Sequence, residues 1–112
     1  MRERLWGLWK YELCAQFRRA TLLLGRRLSP PWGVLCDSRE YPTQGAAVTR
    51  LRATTMDELA DIGCARIAAV VRTAVYSMQF QRIAGQSRLE HAVFEDEESA
   101  SRWLRESSVG PR

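Results

Sequence analysis

Asp37 and Arg39 are the polar side chains best placed to do something specific in the first half of the chain. They stand where the short apolar run WGVLCD (32–37) gives way to a polar loop. In open α/β sheets, ligands and partners are met at the carboxyl ends of strands. A carboxylate and a guanidinium two residues apart there can grip a polar partner, or pair with each other and merely fix the loop. Other chemistry is hard to build. The single histidine, His91, lies inside an apolar run and reads as a packed strand residue. Cys14, Cys36 and Cys64 are odd in number, widely spaced and free of any CxxC pair, so they predict buried free thiols in a reducing cytosol. Glu95–Glu98 is acidic, but consecutive acids on a helical turn point to different sides and suit the positive end of a helix better than a metal. No phosphate-binding glycine loop, HExxH, EF-hand or nucleophile elbow is present. The residues therefore predict no enzyme, no cofactor and no metal site.

The elements that must position these residues form an α/β rhythm between Arg66 and Leu104. RIAAVV (66–71) is a nearly continuous apolar run and predicts a strand covered on both faces. Thr73 then caps a helix over 74–84, with Tyr76, Phe80, Ile83 and Ala84 inward and Gly85 closing it in a left-handed conformation. A strand near 89–94 follows, and Asp96 or Glu95 caps a final helix, 97–106, with Ala100, Trp103 and Leu104 facing inward. Ahead of these, WGVLCD predicts a buried strand. Thr55 and Glu58 have capping-box spacing for a short helix over 56–63, and residues 40–53 read as a loop broken by Pro42 and Gly45, whose middle (AAVTRL) fits a short helix or a short strand equally.

The first segment reads as one helix over residues 4–28, stopped by Ser29-Pro30-Pro31. Trp6, Trp9, Leu13, Phe17, Ala20 and Leu24 recur at three and four, forming a single stripe. Such a stripe more often packs on its own sheet than binds a partner or a membrane surface, and it is expected to face inward. Val109–Arg112 reads as a tail.

Taken together, the 112 residues predict one domain: a small mixed or parallel sheet of three to four strands with about four helices. An apolar fraction of 46% supplies a core, and 27% charge is ordinary for a folded protein. The net charge of +4 is lopsided, with ten basic and four acidic residues in 1–56 against seven and nine in 57–112. The arginines come in scattered pairs without interleaved aromatic platforms, so nucleic-acid binding is not expected. No apolar run is long enough to span a bilayer, and no secretory leader is recognisable, so a cytoplasmic protein is expected.

Three segments resemble a known family. WGVLCDSR is similar to the central strand of STAS-like domains (anti-sigma-factor antagonists and uncharacterised bacterial relatives), which ends in Asp-x-Arg. RIAAVV with AVYSMQFQRIAG resembles the next strand and helix, and HAVFED with EESASRWL resembles the closing pair, with Ala100, Trp103 and Leu104 near the family pattern. The resemblance spans 32–105 and implies a mixed sheet with helices mainly on one face, and a non-enzymatic regulatory module that binds a protein partner. The signalling members carry a phosphorylatable serine where this chain has Ala53–Met56, leaving Thr54 and Thr55 as positional stand-ins. The partner surface it implies therefore joins Asp37 and Arg39 to Thr54 and Thr55. The family also has strand ahead of its first helix, where this chain reads as helix; a shortened form would leave a sheet edge to be covered, for instance in a homodimer. A relative of the fold holds lipophilic molecules between helix and sheet, and Trp9, Phe17, Tyr76 and Phe80 are the residues that would line such a pocket.

Overall fold

The computed structural model describes residues 1–106. Four strands and four helices alternate strictly: β1 (Arg2–Trp6), α1 (Tyr11–Gly25), β2 (Trp32–Glu40), α2 (Ala46–Asp61), β3 (Cys64–Val70), α3 (Ala74–Gly85), β4 (Glu90–Phe94) and α4 (Glu97–Glu106). All pairings are parallel and the strand order is β1-β2-β3-β4, so the fold is the small α/β sheet expected. The expected tail, Val109–Arg112, lies outside the described residues.

Crossovers of one hand between strands in sequential order put α1, α2 and α3 on the same face. Alternation along the strands follows from that. Val34, Cys36, Ile67 and Ala69 join Leu22, Met56, Leu59, Tyr76 and Phe80 in the main core. Leu35, Ala68 and Val70 point the other way, to Ala100 of α4, with Phe94, Trp103 and Leu104 packed around them. Small side chains let α4 come close: a Cβ on Gly33 would lie 3.0 Å from Leu104 Cδ2. Thr73 and Asp96 cap α3 and α4 as their sequence positions suggest, accepting from the amides of Tyr76 and Ser99 at 3.2 and 2.7 Å.

Three expectations are corrected. Residues 2–6 are strand, not the start of a helix; Met1 and β1 pair with β2, and the Met1 ammonium donates to the Gly33 carbonyl at 2.8 Å. A strand therefore does precede the first helix, and β1 presents one unpaired edge. The second helix begins at Ala46, so the AAVTRL stretch is helix and continuous with the helix expected from residue 56, and Thr55 lies inside it with its hydroxyl on the Leu51 carbonyl at 2.8 Å. The capping box does not exist, because Glu58 pairs with Arg18 of α1. The left-handed glycine is Gly63 at φ 115°, where a side chain would strike Pro30, and not Gly85.

The largest correction concerns the face of α1. The stripe expected to pack on the sheet faces away from it at Leu13, Ala20 and Leu24, while Cys14, Thr21, Leu22 and Gly25 are buried. Small residues on the inner face let the helix approach closely: a Cβ on Gly25 would lie 2.8 Å from the Trp32 ring.

Candidate functional site

Asp37 lies inside β2, on the α4 side of the sheet, because the strand continues to Glu40. Its carboxylate accepts two hydrogen bonds from the Arg39 guanidinium, at 2.9 and 2.8 Å, and one from the Arg39 amide at 3.3 Å. That hydrogen bonding holds the Asp37 carboxyl down at a pKa of about 2. Arg2 approaches Asp37 at 3.7 Å and also pairs with Glu97 at the start of α4, which in turn lies 3.3 Å from Arg39. Four charges from β1, β2 and α4 thus satisfy one another. The arrangement clamps the first two strands to α4, and Asp37 has little capacity left for a partner.

Thr54 and Thr55 belong to the opposite side of the sheet, on α2. Thr55 is buried; Thr54 is exposed but its hydroxyl returns to the Arg50 carbonyl at 3.2 Å. The four residues expected to share a partner surface are not brought together.

The aromatic set is partly assembled. Trp9 packs on Phe17 with ring centroids 5.0 Å apart, Tyr41 stands edge-on to Trp9 at 5.0 Å, and Tyr76 meets Tyr41 at 5.5 Å. Phe80 is fully buried in the core, edge-on to His91. The hollow beside Phe17 measures about 20 Å³, room for a water and not for a lipophilic molecule.

The lining of that hollow is a feature that periodicity did not reveal. Glu3 and Arg52 both face it, with Cys14, Thr21 and Thr55. Glu3 accepts from Thr21 Oγ1 at 2.7 Å and from Cys36 Sγ at 3.4 Å, and burial raises its carboxyl above the usual range. Arg52 is buried, donates to the Tyr76 hydroxyl at 2.9 Å and lies 5.3 Å over the Tyr41 ring. A buried guanidinium and carboxylate around a water-sized space form a polar joint between β1, α1, α2 and α3. Cys36 and Cys64 are also buried, and desolvation lifts Cys64 to about 11, so both thiols stay protonated and unreactive.

Outside these joints the surface is uneven. Nine large apolar side chains are exposed among the described residues, and seven of them fall between Trp6 and Leu28. Trp6 is 62% and Leu8 73% exposed; Tyr11, Leu13, Leu23, Leu24 and Leu28 follow along α1 and its end. The loop that carries Leu8 is held in place. The Gln44 side chain accepts from the Trp9 amide at 2.8 Å and donates to the carbonyls of Gly7 and Pro42, while Gln79 of α3 bonds the Gln44 backbone at both ends. A rigid loop therefore presents the start of an apolar surface that continues along one helix.

No family model, curated protein or solved structure matches the chain.

Proposed function

We propose that this chain is a non-enzymatic, cytoplasmic regulatory module of the STAS-like kind, and that it binds a protein partner through β1 and α1. The observation that carries the reading is the run of exposed large apolar side chains from Trp6 to Leu28 on a fixed loop and helix. Monomers seldom leave such a patch open unless something docks on it. In favour of the family likeness, the three similar segments fall on successive strands of one sheet with a strand ahead of the first helix, although every strand pairing is parallel where the family's sheet is mixed. Among the described residues no helix is long and apolar enough to cross a membrane. The competing reading, a lipophilic ligand held between helix and sheet, is weaker because the space beside Phe17 takes only a water.

Affinity capture from cell extract tests the proposal with three baits: wild type, Leu8→Ser/Leu13→Ser, and Val75→Ser/Met78→Ser on α3. A protein retained by the first and third baits and lost from the second supports it. Native mass spectrometry that finds a small molecule released on denaturation, with no patch-dependent protein, favours the ligand reading instead.

A further inference from the structure

We infer that the partner segment seated on α1 is an acidic amphipathic helix; the inference rests on the protein-binding reading above. Its shape comes first. Leu13, Ala20 and Leu24 are separated by seven and four residues and are all exposed, so they form a line about 16 Å long on one side of α1. At its upper end the line opens into a groove of about 550 Å³ between Leu8, Lys10, Glu12, Leu13 and Gln16. A ridge of apolar side chains at helical spacing fits a line and groove of that length.

Charge then selects among occupants. Several arginines on this molecule are neutralised at home: Arg18 by Glu58, Arg39 by Asp37, Arg66 by Glu90 and Arg88 by Asp61. Lys10, Arg19 and Arg27, which flank the apolar line, have no ion pair among the described residues. Glu12 is the only acid on α1. A second copy docked α1 to α1 would bring these cations against themselves, which is repulsive. A bilayer surface is flat, whereas this surface is grooved. A helix with leucines on one face and carboxylates beside them satisfies both the apolar line and the three cations.

The test uses two synthetic peptides of about 16 residues, long enough to cover the line. Both carry the same leucine stripe at helical spacing; one is flanked by glutamates, the other by lysines. Each is labelled and titrated with the full chain, alongside anionic phosphatidylserine vesicles and a sedimentation measurement of the protein alone. The glutamate peptide is expected to bind at least about tenfold more tightly than its lysine twin. Added salt should weaken its binding, as should Lys10→Ala/Arg19→Ala/Arg27→Ala, and Leu13→Ser/Leu24→Ser should abolish it. Equal binding of the two peptides overturns the acidic assignment and leaves the protein-binding reading standing. Absence of binding by both peptides, together with Leu13-dependent vesicle binding or Leu13-dependent dimers, overturns the inference in favour of lipid or a second copy. Absence of any Leu13-dependent binding overturns both readings.

Discussion

Leu13 and Cys14 are neighbours in sequence and stand about 100° apart around α1, yet Leu13 is 47% exposed and Cys14 1% exposed. The contrast decides what the helix is for. A helix with Leu13, Leu23 and Leu24 outward and Cys14, Thr21, Leu22 and Gly25 inward packs closely on its sheet and leaves an apolar stripe for something else.

The β1–β2–α4 charge cluster should make stability depend on acid. Asp37 has a folded pKa of about 2 against an ordinary 3.8, so its contribution is fully present above 3.8 and is lost as pH falls from there towards 2. Arg39 is partly solvated, so the net effect is about 1–2 kcal/mol. Asp37→Asn should lower stability by that amount at pH 7, and urea midpoints of wild type and variant should converge near pH 2. A gap that persists at pH 2 would assign the loss to packing instead.

Glu3 has the opposite sign. Its carboxyl is raised above the ordinary 4.5 by burial, so ionising it costs stability; the cost is absent well below 4.5 and sets in as pH rises through the folded value. Glu3→Gln should therefore gain on wild type in urea unfolding as the pH is taken from 4 to 8. Arg52→Met should lose about 1–3 kcal/mol, because it removes the donor to the buried Tyr76 hydroxyl and the Arg52 charge that favours the ionised Glu3. The double variant should recover a substantial part of that loss. Strictly additive losses would show that the two charges do not interact.

Trp103 belongs to the α4 face, packed against Phe94 at 5.8 Å and under the Arg66 guanidinium at 4.4 Å, but it remains half-buried. Trp103→Ala should cost about 2–3 kcal/mol, below the cost of deleting a fully buried aromatic. Phe80→Ala, in the main core, should cost more, about 3–5 kcal/mol. Chemical denaturation of the two variants ranks them, and a larger loss at Trp103 would contradict the description of the two layers.

What could be read from the sequence follows from where hydrophobicity and burial coincide. RIAAVV and WGVLCD are buried on both faces, so their apolar runs announced β3 and β2. The stripes of α3 and α4 do face the sheet, and their N-terminal caps are at the expected residues. β1 escaped because Arg2, Glu3 and Arg4 are polar, and because Trp6 and Trp9 continue the spacing of Leu13 and Phe17 as though one helix ran through all four. Its face was misjudged for the complementary reason: α1 buries small residues, and periodicity follows large ones. The start of α2 was hidden by Pro42 and Gly45, and Arg52 in its middle reads as a solvent position. Only the neighbouring Tyr41, Tyr76 and Glu3, distant in sequence, explain why it is buried.

Thiol labelling tests the orientation of α1 most directly. The three native cysteines are buried, so the folded wild type should react with a maleimide only on unfolding. Leu13→Cys and Leu24→Cys, each measured in the folded protein, should react within about tenfold of the rate of the same thiol in urea. Protection of both new thiols as complete as that of Cys14 would put the stripe against the sheet and remove the proposed binding surface.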